Sequence, residues 1–192
     1  MKSFTSFALV KSFTSFALAA LVLASAGTVG YSQIKRLSLT EIVSETDDAI
    51  VGHITNSYVF RVDHPVDGPE LYFTTLTIAG KSLADDTPMT LSITYPGGFI
   101  DPEHGVWNSE APTADDVQLG NYVVAFYEWT NDMGGQVAGN ALYAMHGGLY
   151  RTVSGPQNTV VLGRGDGYAI SSNTELTDLT QAARRIRKNA KK

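Results

Sequence analysis

An all-β domain, a barrel or a sandwich with a helix at each end, is predicted by three observations. Met89, Leu91, Ile93 and Tyr95 alternate with Thr90, Ser92 and Thr94, the period of two of a strand with one buried face. Seven or eight short apolar segments of this kind succeed one another between glycine- and proline-bearing turns. Two capping-box patterns, Ser38-Leu39-Thr40-Glu41 and Ser172-Asn173-Thr174-Glu175, bracket the set.

Each element has its own signal. Leu39, Ile42 and Val43 share one helical face, so a short helix is expected over 39–46. Ala49 to Val62 reads as a long strand, with a bend or bulge at Gly52 and Thr55-Asn56-Ser57. Asp63 to Glu70 holds two prolines and a glycine and reads as a hairpin loop. Tyr72 to Ile78 and Met89 to Tyr95 alternate cleanly, and Pro96-Gly97-Gly98 stops the second. Tyr122 to Tyr127 is apolar throughout, the mark of a central strand. Shorter strands are expected at 142–145, 149–153, 159–162 and 168–170. Leu176, Leu179, Ala183 and Ile186 then fall on one stripe of a C-terminal helix over 173–189.

The first 26 residues have the pattern of an export leader. Lys2 and Lys11 supply charge, Phe13 to Leu23 an apolar core too short to span a bilayer, and Ala24-Ser25-Ala26 a small-residue cleavage site. Lys2–Val10 and Lys11–Ala19 are near-identical copies, a local duplication too short to be a structural repeat. Residues 27–37 read as a linker and 38–192 as a single domain, exported to the periplasm or secreted. The chain contains no cysteine, which excludes disulfides, thiolate metal sites and cysteine nucleophiles.

Charge is split along the chain. Gly27 to Ala183 carries 19 acidic and 6 basic residues, whereas Arg184, Arg185, Arg187, Lys188, Lys191 and Lys192 follow with no acid among the last nine residues. An acidic body disfavours nucleic acid as a partner. The basic end suits anionic lipid, an envelope polymer, the acidic body itself, or the negative end of the helix dipole.

The segments LTEIVSETDDAIVGHI, LYFTTLTIAGKSL, MTLSITYPGG and APTADDVQLGNYVVAFYEW, taken in this order, are similar to a group of exported bacterial proteins. Their pattern is a short helix, "sD.ivvG.V", a "T...V...lkG" strand, "v.v.vpGG" and "G.....fl", and it covers roughly residues 39 to 170. Asp48, Gly52, Gly80, Gly97, Gly98 and Gly120 match it, and turn geometry accounts for glycines in such a pattern. The resemblance implies an OB-like barrel of the netrin and metalloproteinase-inhibitor type. It implies no activity, because those inhibitors reach zinc through an N-terminal cysteine that this chain lacks.

Phe99 to Asn121 is the foremost candidate site, since a connection this long without periodicity is usually functional or mobile. Phe99, Asp101, Glu103, His104 and Trp107 mix apolar anchors with titratable groups. Trp107 is suited to stacking on a glycan or filling a pocket of a protein partner. The competing reading makes Phe99, Val106 and Trp107 a plug for one end of the barrel. Asp63, Asp67 and Glu70 surround a glycine turn and form a candidate oxygen site for Ca²⁺, without the spacing of an EF-hand loop. Neither a zinc-binding helix motif nor a Gly-x-Ser-x-Gly elbow is present. Glu128 and His146 are a further pair that a sheet could bring together, and Arg164-Gly165-Asp166 is a short adhesion-type tripeptide on a turn.

The expected protein is therefore an exported, monomeric binding module for a protein or glycan, without a cofactor. The two rivals are a hydrolase using acids and His104 of the 99–121 loop, and an envelope component held by Arg184, Arg185, Arg187 and Lys188.

Overall fold

A computed structural model describes residues 36–155 and 158–190. The expected leader over 1–26 and most of the linker lie outside the described residues. Leu37 already belongs to the domain, its amide donating to the Gly167 carbonyl over 3.1 Å. No helix among the described residues is long and apolar enough to cross a membrane.

The described residues are mostly β, bracketed by helices α1 (Leu39–Glu45) and α2 (Leu176–Ala190). Ten strands lie between them: β1 (Asp48–His64), β2 (Gly68–Ser82), β3 (Pro88–Pro96), β4 (Gly98–Asp101), β5 (His104–Val106), β6 (Tyr122–Thr130), β7 (Gly139–Leu142), β8 (Leu149–Ser154), β9 (Thr159–Val161) and β10 (Thr174–Glu175). Five of them close a barrel in the order β1-β2-β3-β7-β6, with β6 returning to β1. Every pairing is antiparallel except β3 with β7, which run parallel. This order fits an OB-like barrel in its broad features.

Two apolar clusters account for the closure. Inside the barrel, Ile50, Ile54, Leu76, Ile78, Ile93 and Val123 are at most 1% exposed. Outside it, Ala49, Val51, Val124 and Phe126 pack under α1, α2 and β8–β9, meeting Ile42, Leu179, Tyr150 and Val161. Strands β1 and β6 are thus covered on both faces where they pair, which explains the unbroken apolar run at Tyr122–Tyr127. Gly52 and Gly80 face each other in the β1–β2 register, and a Cβ on either would collide with the opposite backbone. Close strand approach, rather than the turn geometry expected, is what these two glycines serve.

The expected bulge in β1 sits between Ile54 and Asn56, where the register with β2 slips by one residue. Beyond it Ser57, Val59 and Arg61 oppose Leu76, Thr74 and Tyr72, while Tyr58 and Phe60 turn to the other face. The β1–β2 ribbon then runs on past the barrel wall to a tight turn at residues 65–67.

Several boundaries differ from expectation. Most of the predicted 63–70 loop is strand, because Arg61, Asp63 and Glu70 clamp the ribbon up to its tip. The chain over 142–145 is not a strand: β7 ends at Leu142, Ala144 and Met145 both have φ of 52°, and a 3₁₀ turn over Met145–Gly148 steps the chain into β8. Residues 168–170 form part of a closed loop, with Arg164 N–H bonded to the Ile170 carbonyl and Gly165 N–H to that of Ser171. The second capping box does not form, since Thr174 and Glu175 pair with β9 and the Asn173 side chain accepts from Gly163 N–H. The helix therefore starts at Leu176. The first box forms in full, with Ser38 Oγ accepting from Glu41 N–H and Glu41 from Ser38 N–H.

Candidate functional site

The predicted loop over 99–121 has internal order. Gly97 and Gly98 have φ of 100° and 129°, a reversal that ends β3 and starts the small β4–β5 hairpin. Asp101 closes its turn by accepting from the backbone N–H groups of Glu103 and His104 and from the His104 ring. The hydrogen bond from the His104 ring, then the Glu103 amide, hold the Asp101 carboxyl below its ordinary range. Phe99 lies opposite Gly105 and covers it.

The rest of the loop is tied to the barrel at several points. Asn108 donates to the Pro96 carbonyl at 3.0 Å, and the Glu110 carbonyl accepts from both the amide and the ring of His146. Asp116, 6% exposed, accepts from Arg164 at 2.9 Å. Burial pushes the Asp116 carboxyl up, but the hydrogen bonds from Arg164 and Thr113 outweigh it and leave it below its ordinary value. Gly120 N–H and the Asn121 carbonyl complete an edge pairing with Ile54.

Fixed in this way, the loop presents its apolar side chains to solvent. Trp107 is 79% exposed, and Phe99, Ile100 and Val106 are each about half exposed. These side chains do not plug the barrel; Ala111 and Val117 of the same loop, with Met145, are the ones that pack against its inner cluster. Trp107 and Val106 instead form one wall of a groove of about 500 Å³, with Leu71, Tyr72 and Phe73 of β2, Pro96, Gly97, Asn108 and Ser109 along it. Met133 and Gly134 of the β6–β7 loop, with Asp67 and Glu70 of the ribbon tip, complete the lining. The Asp67 carboxylate locks tip to loop, accepting from Gly135 N–H at 2.8 Å. This volume is in the range of small-ligand sites.

Of the residues singled out in the sequence, Trp107 lines the groove, while Phe99, Asp101, Glu103 and His104 sit on the neighbouring hairpin outside the lining. Asp63, Asp67 and Glu70 do not converge as an oxygen cluster. Arg61 takes Asp63 and Glu70, Gly135 N–H takes the Asp67 carboxylate while the Asp67 amide donates to His64 Nδ1, and no group of three or more carboxylates and histidines suited to a metal ion occurs among the described residues. The Glu70 amide and then Arg61 pull the Asp63 carboxyl down. Glu128 and His146 do not meet, since the His146 ring is held between the Glu110 carbonyl and the Tyr168 hydroxyl at 2.7 Å each. Arg164 of the adhesion-type tripeptide is turned inward onto Asp116 and the Leu149 carbonyl.

The basic tail divides. Arg184 bonds to Asp86 and to the Leu83 carbonyl, and Arg187 donates to the Asp47 carbonyl and forms an ion pair with Asp48 at 3.4 Å, so both clamp α2 onto the acidic body. Arg185 and Lys188 point to solvent. Under α2 a second, more polar cleft of about 440 Å³ is bordered by Lys81, Asp86, Thr177, Gln181 and Arg184.

Sequence reasoning missed Asp67, Glu70, Leu71 and Met133 as one surface. Only the coiling of the ribbon over the β6–β7 loop joins them, and no local pattern encodes that. No protein-family model, no curated protein and no solved structure matches this chain, so its geometry alone bears on what it does.

Proposed function

We propose that this chain is an exported, monomeric, non-catalytic binding module of the exported bacterial group it resembles, a netrin-like OB barrel in the finer sense. The observation that carries this reading is Trp107, a large aromatic held 79% exposed over a groove by a loop tied down on both sides. An aromatic so placed adds little to the fold and much to an interface. In OB barrels generally, ligands lie against strands 2 and 3 between the loops that here correspond to the ribbon tip and the β6–β7 turn, an analogy of fold only. The test is partner capture from the exported fraction by the protein and by Trp107→Ala. Loss of capture at an unchanged melting temperature supports the reading, and equal capture ends it.

The Asp101–His104 pairing favours, as a second reading, a hydrolase acting from the hairpin tip. Unchanged turnover in His104→Ala and Glu103→Gln discards it. Envelope attachment through Arg185 and Lys188 is tested by reversing both charges. Deleting 184–192 is unsuitable, because it removes the Arg184 and Arg187 clamps as well.

A further inference from the structure

Two carboxylates, Asp67 and Glu70, line the groove. Asp63 and Asp132 stand next to them in the ribbon and the β6–β7 loop, and among the described residues Arg61 is the one Lys or Arg bonded within the group. The floor between is apolar, with Leu71, Met133 and the exposed face of Trp107. Asn108, a neutral polar lining group, is spent on the Pro96 carbonyl and the Glu110 amide. A glycan would bring many hydroxyls to a floor that is largely apolar, at a desolvation cost for each one left unmade. An apolar side chain needs no such partner, and an ammonium or guanidinium finds the Trp107 face and two carboxylates, Glu70 shared with Arg61 and Asp67 shared with Gly135 N–H.

We infer that the groove receives an extended peptide segment in which a lysine or arginine neighbours an apolar residue. This rests on the binding-module reading and narrows it to a ligand class. The apolar side chain fills the gap between Trp107, Leu71 and Met133, while the cation meets Asp67 and Glu70 at the rim. Charge complementarity sets the preference, so binding weakens with salt.

The test uses a Trp129→Phe protein, in which Trp107 is the only tryptophan of the domain, and follows its fluorescence. Three probes are titrated: a capped Leu-Lys-Leu-Lys peptide, its Leu-Glu-Leu-Glu counterpart and a neutral cello-oligosaccharide. The lysine peptide should give a saturable change that weakens about tenfold in 0.5 M salt and in Glu70→Gln, with no saturation by the glutamate peptide. Asp67→Asn serves as a second variant only if its melting temperature holds, because Asp67 also bonds Gly135. Equal binding of both peptides, or indifference to Glu70, overturns the inference. Saturation by the oligosaccharide alone overturns it but leaves the groove a binding site. Silence from all three also overturns it, and partner capture by Trp107→Ala then decides the broader reading by itself.

Discussion

From Ala49 to Ile54, β1 is covered on both faces apart from His53, whereas from Thr55 to His64 no residue of the same strand is buried. The first half closes the barrel against β6 and carries α1 and α2 on its back. The second half leaves the barrel, and with β2, the β4–β5 hairpin and the β6–β7 loop it frames the groove. The difference shows that stability and contact surface are divided along a single strand, at the bulge between Ile54 and Asn56. Side chains beyond the bulge shape the ribbon rather than the barrel core, and their exposed surface is available to a partner.

The comparison predicts unequal effects of substitution in the two halves. Phe126→Ala, in the closed half, should cost about 3–5 kcal/mol in a denaturant titration, since the ring is fully buried against Tyr150 and the helices. A loss under about 1 kcal/mol would mean that the outer cluster is not a packed core. Gly80→Ala should destabilise by about 3 kcal/mol or more, because its methyl group would meet the Val51 carbonyl across the strands. A Gly80→Ala protein of parental stability would show that β1 and β2 are not so close.

Arg164→Ala should cost about 2–3 kcal/mol, less than for a fully buried pair because the Arg164 side chain is 20% exposed. It should also loosen the loop that carries Trp107, seen as faster amide exchange at 113–121. A smaller effect is expected at the α2 clamp. Lys81 and then Arg184 draw the Asp86 carboxyl down to about 2. A lowered carboxyl contributes stability that is complete above the unfolded value of about 3.9 and is lost as pH falls through the folded one. The melting-temperature gap between the parent and Asp86→Asn should therefore stay constant above pH 5 and shrink between about pH 4 and pH 2. A gap that widens as pH falls would reverse this assignment.

The closed half was the more legible in sequence. Alternation at Met89–Tyr95, the unbroken run at Tyr122–Tyr127 and the first capping box each reflect local physics, and each stands where expected. The second capping box and the strand expected at 168–170 gave way to tertiary pairing, because β9 takes Thr174 and Glu175 as an edge partner. Trp107 could be named from composition and loop length. The groove it lines could not, because Leu71, Met133 and Trp107 are far apart in the chain and meet only where the ribbon lies over the β6–β7 loop.

The most direct test of this division is the thermal melt of Trp107→Ala beside that of the parent. Surface placement of the indole predicts midpoints within about 2 °C of each other. A fall of about 8 °C or more would place Trp107 in the core and remove the groove as a contact surface.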